Sequence, residues 1–356
     1  MRDYYKIITY LLIAGFVVSC SKSETTTPSS KIPATTADNP KRGVTDTTKS
    51  NTPVTTPTTA PVIIPAVPTT NPVTYTVSSP ISLSGAHDMV INALQIDNPS
   101  GICIHLTNCY NITIKNCKLG PSLRTGVELN NCTNITVDSC YISNVSTGVY
   151  ALNSHQVKIT NNQVKNVLGP YPKGQMVQFD NVSGSGNTVL NNRCENIAGA
   201  SNPEDVISMY ESNGIAGDPI MIAGNWIRGG GPSKTGGGIM LGDNGGSYII
   251  AKNNIIVDPG NYGMGIAGGN NIQILNNEIY GSKTSVSNVG IYIWNQSNSG
   301  CSLNTINGNQ VNWTRFSGEN NNNWNAGNCG TVTGWNTNIW GAVLNSGILP
   351  SQILSN

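Results

Sequence analysis

Between about residues 89 and 311, apolar and polar positions alternate in short bursts that keep returning. Asn111-Ile-Thr-Ile-Lys-Asn116 comes back as Asn134-Ile-Thr-Val-Asp-Ser139, Gln156-Val-Lys-Ile-Thr-Asn161, Asn187-Thr-Val-Leu-Asn-Asn192, Pro219-Ile-Met-Ile-Ala-Gly224, Tyr248-Ile-Ile-Ala-Lys-Asn253 and Asn271-Ile-Gln-Ile-Leu-Asn276. Asn304-Thr-Ile-Asn-Gly308 closes the series in degenerate form. The apolar residue before each Asn-rich bend falls at Ile114, Val137, Ile159, Leu190, Ile222, Ala251, Ile274 and Ile306, with gaps of 23, 22, 31, 32, 29, 23 and 32 residues. A second strand recurs in step, and its alternation turns Val127, Leu129, Val149, Val177, Phe179, Ile207, Met209, Ile239, Leu241, Ile266, Ile291 and Ile293 inward. So short a unit cannot bury its apolar face alone, and its copies must stack. The short gaps suit one turn of a three-stranded solenoid and the long ones add a loop, whereas a propeller blade needs about 40 residues for four strands. The pattern predicts an all-β chain: a right-handed, single-stranded parallel β-helix of about nine to ten coils.

The same register sorts the bends and the cysteines. Asn116, Asn161, Asn192, Asn253 and Asn276 should stack about 4.8 Å apart, with amides bonding along the column. Cys109 and Cys132 are 23 residues apart, as are Cys117 and Cys140, so each pair falls on adjacent coils, either as disulfides or as stacked thiols. Cys301 and Cys329 bracket the Asn/Trp-rich C-terminal region and are the better disulfide candidates.

Composition adds organisation at the N-terminus. Arg2 and Lys6 precede an apolar run from Ile7 to Val18 that ends in Val17-Val18-Ser19-Cys20, which resembles a bacterial lipobox with Cys20 as the lipidated residue. Residues 1–20 read as a lipoprotein signal peptide and 21–72 as a Thr/Pro/Ser-rich disordered tether. Residues 73–356 read as the β-helix domain, with a capping region at 313–356. The chain is expected to be exported and held at the outer membrane or cell surface through its lipid alone. Only 10% of residues are charged and the net charge is +1, which leaves no basic stripe for nucleic acid. A monomer is expected.

Candidate chemistry gathers where insertions enter, just before the second strand: 168–174, 198–205, 229–237 and 258–262. Loops grown on one side of a solenoid usually build its binding face. Outward columns there bring Asp180, Glu204, Asp205, Glu211 and Asp243 over three consecutive coils, with Lys173, Lys234 and Arg228 beside them. Tyr171, Tyr210, Tyr262 and Trp294 offer flat faces for sugar rings. The Gly236–Gly246 run is not a phosphate loop, because it lacks the motif's spacing and a strand-loop-helix context.

Over roughly residues 74–312 the repeat resembles the pectate-lyase-like parallel β-helix superfamily, and Glu204-Asp205-Val-Ile-Ser-Met-Tyr210 faintly resembles the calcium-holding strand of family 9 polysaccharide lyases. The resemblance implies a carbohydrate-active protein with a polysaccharide substrate, first of all a lyase acting on an acidic glycan. Asp180, Glu204, Asp205 and Glu211 would hold Ca²⁺. Lys234 or Lys173 would be the base, its pKa lowered by burial or neighbouring cations, and Arg228 would pair with a substrate carboxylate. Two alternatives stay open: a glycoside hydrolase using a carboxylate pair among Asp180, Glu211 and Asp243, and a non-catalytic glycan binder.

Overall fold

A computed structural model describes residues 73–170 and 174–355. The signal segment with Cys20 and the tether lie outside the described residues, as do Tyr171 and Lys173. Each coil lays down short parallel strands that stack into three faces. The first face holds the Asn-Ile-Thr-Ile repeat, for example His155–Thr160, Thr188–Leu190 and Ile220–Ala223. After the Asn bend comes the second face, with Gln163–Val167, Arg193–Glu195, Trp226–Arg228 and Ile255–Val257. The third face follows the insertions, with Val177–Asp180, Ile207–Tyr210, Ile239–Asp243, Tyr262–Ile266 and Val289–Ile293. Counting the later half of the long strand Tyr141–Leu152, the third face has ten strands among the described residues.

The twelve inward residues expected on this face are all buried. Stacked aliphatic columns fill the cylinder, each side chain worth about 1.5–3 kcal/mol on burial. One expected inward residue was off by a position. Val189, not Leu190, pairs with Ile159 below and Ile222 above, and Val189 is fully buried.

The same slip touches the asparagine column. The buried ladder is Asn162, Asn192, Asn225, Asn254, Asn277, Asn309 and Asn338, each amide donating to the next Oδ1 at 2.8–3.0 Å. Asn116, Asn161, Asn253 and Asn276 stand one residue earlier, in the left-handed bend at φ 50–56°, together with Asn191. The sequence reading had merged two adjacent columns, one supplying bend geometry and the other satisfying buried backbone.

Cys117 and Cys140 continue the ladder's column in the early coils, where the Cys117 amide meets Cys140 Sγ at 3.4 Å and the Cys140 amide meets Asn162 Oδ1 at 2.9 Å. They and Cys109 and Cys132 are buried free thiols, whereas Cys301 and Cys329 are disulfide-bonded.

The C-terminal segment does not stop at the end of the cylinder. It runs back along the second face, where Ala342, Leu344, Ile348, Leu349, Ile353 and Leu354 pack on Trp226 and Val257. The Arg193 guanidinium lies 4.4 Å over the Trp226 ring and donates to the Ile353 carbonyl at 3.1 Å.

Candidate functional site

The insertions stack on one another as the strands do. Glu204 N–H donates to the Gly174 carbonyl, Val206 N–H to Gly237, and Asn261 N–H to Gly236, all at 2.8–2.9 Å. Backbone passes so close that a Cβ at Gly236 would sit 2.1 Å from the Glu204 carbonyl oxygen. The Gly-rich run of loop 229–237 is thus a requirement of close backbone approach.

Two outward columns cross the third face. The first reads Glu128, Tyr150, Gln178, Ser208, Met240, Gly265, Tyr292 and Trp324. The middle of this column is buried although it points away from the core, because loops and tyrosine rings roof it. The second column contains Asp180, Tyr210 and Asp243, all half-buried. Spacing alone put Gly242 opposite Tyr210 and Asp243 beyond the strand end. The register shifts after Ser208, Gly242 takes φ 62°, and Asp243 itself faces Tyr210. Such a bulge re-aims the side chain that follows it.

Asp205 is the most perturbed carboxyl here. It is 6% exposed, and its Oδ1 accepts from the Gly237 amide at 3.0 Å and from the Tyr262 hydroxyl. Burial raises its pKa from 3.8 to about 7, helped by the nearby charges of Glu204 and Asp243 and opposed by its two donors. Tyr262 and Tyr292 meet edge to face at 5.1 Å, and burial together with the Asp205 and Asp243 charges keeps both hydroxyls protonated. Tyr292 reaches back over Gly265 to Met240 Sδ at 3.4 Å. Tyr150 donates to Asp180 Oδ2 at 2.7 Å, and Thr235 donates to Glu204 Oε1 at 2.6 Å. Glu211, in a left-handed bend at φ 47°, accepts from Asn244. Burial and the Glu211 charge push the Tyr210 hydroxyl up to about 12.

Asp180, Glu204, Asp205, Glu211, Asp243, Tyr210 and Tyr262 therefore belong to the third face or the loops entering it. Tyr262 is no sugar platform, however: it is buried and spent on Asp205. Trp294 is half-buried and packs edge-on against Trp324, with ring centroids 5.8 Å apart. Arg228 is elsewhere. It lies on the second face, 3.3 Å from Glu195, and donates to the carbonyls of Pro350 and Ser351. Lys234 is exposed on its loop beside Thr235, so the burial invoked to activate it is missing. Tyr150, Tyr292 and Gly237 were not singled out as site residues. For Tyr150 and Tyr292 the signal was the outward column itself; Gly237 lies in the loop before it.

The four carboxylates named for calcium do not form a cage. Among the described residues no three acidic, histidine or cysteine side chains are grouped to hold a metal ion. Asp205 Oδ1 already accepts from Gly237 and Tyr262, so the four carboxylates present no preformed Ca²⁺ site. A cavity of about 1040 Å³ lies on the second face between Tyr75, Lys118, Tyr141 and the C-terminal segment, apart from this chemistry.

Residues 79–231 match the family described as "Right handed beta helix region", which supplies the handedness of the solenoid. No curated protein matches the chain. Among solved structures, a variant of the catalytic domain of a GH87 alpha-1,3-glucanase in complex with nigerose is similar at TM-score 0.51 and 15% identity over 72% of this chain. The chain spans 50% of that structure's length. The alginate lyase from Paenibacillus sp. str. FPU-7 aligns at TM-score 0.47 and 15% identity, over 72% of this chain and 91% of that one. At such identities the likeness concerns the fold.

Proposed function

We propose that this chain cleaves a polysaccharide along the third face by hydrolysis, with Asp205 as general acid and Asp243 as general base. One arrangement carries the reading: Asp205, buried and accepting from Gly237 and Tyr262, enters the coil adjacent to that of half-buried Asp243, and its burial raises its pKa to about 7. Asp205 gives its proton to the glycosidic oxygen as the bond to the anomeric carbon breaks. The Asp243 carboxylate takes a proton from the water that adds to that carbon. Tyr210 and Trp294 lie along the same groove and offer sugar-stacking faces.

The charge of the site favours a neutral glycan. Asp180, Glu204, Glu211 and Asp243 gather here beside the exposed Lys234, so an acidic substrate would meet mostly like charge. An α-1,3-glucanase domain shares the fold, which fixes no reaction by itself. A second reading, β-elimination on a uronate glycan, is favoured by the position of Lys234 next to Thr235, which bonds Glu204 above the Asp205 side. Asp205 would then protonate the leaving oxygen while Lys234 abstracts the proton α to the carboxylate. Incubation with neutral and uronate glycans separates the two. Hydrolysis gives reducing ends alone, elimination gives the ultraviolet absorbance of an unsaturated product, and retention without cleavage rejects both. Export and anchoring through Cys20 remain part of the proposal, with labelling of the mature N-terminus as their test.

A further inference from the structure

We infer that the second-face cavity is a separate binding site for an acidic saccharide, with Lys118 and Lys165 meeting its anionic groups and Tyr75 and Tyr141 its ring faces. Nothing in the inference depends on the chemistry of the third face. The C-terminal segment engages the polar side chains that it crosses on the second face. Asn312 donates to the Leu344 carbonyl, Arg228 to Pro350 and Ser351, and Arg193 to Ile353, while Gln163 accepts from the Ser355 amide. The next outward residues in the Gln163 column, Tyr141 and then Lys118, lie beyond the last of these contacts. Leu354 and Ser355 line the cavity together with Tyr75, whose segment leads into the first second-face strand, Thr76–Val77.

Donors dominate the lining. Among the described residues neither Lys118 nor Lys165 has an ion-pair partner. Glu195 is the register neighbour of Lys165, but it lies 3.3 Å from the Arg228 guanidinium, which offsets its charge. Tyr75 and Tyr141 are half-buried, and burial raises both phenols above their ordinary 10.0, so each keeps a proton to donate. Two ammonium groups and two phenol hydroxyls suit an oxygen-rich anion, and the two rings offer flat apolar faces to a sugar. The cavity, about 1040 Å³, is at the large end of small-ligand sites and admits a short oligosaccharide. Charge separates it from the third face: an acidic saccharide is attracted here and repelled by the carboxylates there.

Calorimetric titration of the full chain at low salt tests this, with galacturonate and mannuronate trimers, a neutral glucose trimer and inorganic phosphate as probes. A uronate trimer should bind with an affinity that falls about 10-fold in Lys118→Met and about 10-fold in Lys165→Met, the usual loss of one charged hydrogen bond. Asp243→Asn should leave that affinity unchanged, and Lys118→Met should leave glycan turnover unchanged. The glucose trimer and phosphate should bind about 10-fold more weakly or worse, because each offers half of what the site recognises. Uronate binding that survives both lysine substitutions, or that disappears with Asp243→Asn, overturns the inference, and so does a failure of both uronate trimers to bind. Phosphate or glucose trimer binding as tightly as the uronates overturns it too, the first by removing sugar recognition and the second by removing charge. Where a lysine variant fails to fold, the unmodified protein still decides: the Tyr75 and Tyr141 ring resonances should shift as the uronate trimer is added, and unmoved rings contradict the site.

Discussion

Asp243 faces Tyr210 across the third-face ladder because one glycine, Gly242, enters the left-handed region at φ 62° and advances the strand by a residue. Without that bulge Asp243 would leave the column that contains Asp180 and Tyr210. A single backbone irregularity thus assembles the pair on which the functional reading depends.

Replacing either member should stop turnover with little structural cost. Asp243→Asn and Asp205→Asn should each lower kcat about 10²-fold to 10⁴-fold, the usual contribution of a positioned acid or base. Lys234→Ala should keep most activity under hydrolysis and lose it under elimination. Steady-state kinetics on the preferred glycan provide the comparison.

Stability should carry the signature of Asp205. Its folded pKa, about 7, lies above the ordinary 3.8, so the stabilising contribution is complete below about pH 4 and is lost as pH rises through 7. The rise corresponds to roughly 4 kcal/mol at most. Asp205→Asn keeps an acceptor for Tyr262 and Gly237 but cannot ionise. Its Tm relative to the parent should therefore increase from pH 5 to pH 8, and a difference independent of pH would reject the buried carboxyl.

Arg228 should matter for the C-terminal segment and not for turnover. Arg228→Ala removes its bonds to Pro350, Ser351 and Glu195 and should cost about 1–2 kcal/mol in denaturant unfolding. Loosening beside Trp226 should be visible in its fluorescence. An unchanged kcat/KM is expected, and a loss of more than tenfold would return Arg228 to the site.

The ladder predicts the same pattern at a larger stability cost. Asn254 accepts from the Asn225 backbone and side chain at 2.9–3.0 Å and donates to Asn277 and to the Ile222 carbonyl. Asn254→Ala leaves buried polar groups unsatisfied and should cost about 2–4 kcal/mol. The variant that remains folded should retain its activity.

Sequence pattern revealed the solenoid because every coil repeats the same inward positions, from Ile114 to Ile306. It failed where spacing underdetermines register. After Thr188–Leu190 two asparagines, Asn191 and Asn192, compete for the bend, and choosing Asn192 moved the inward position from Val189 to Leu190. Gly242 looked like any other glycine until its conformation was known. Arg228 shares the loop-rich side in sequence, yet the alternation after Ile227 places it on the second face. The burial of Tyr262 had no local signal, since it depends on the vacancy at Gly237, 25 residues earlier in the chain. The return of residues 342–355 along the second face carries no periodicity that a repeat-based reading can find.

The most direct measurement is product analysis of the purified protein on neutral and uronate polysaccharides, run in parallel with Asp205→Asn and Asp243→Asn. Hydrolysis on the third face predicts new reducing ends from a neutral glycan, no unsaturated product, and loss of the reducing-end signal in either variant. Unsaturated uronide from the parent protein, or cleavage that survives both substitutions, would contradict it.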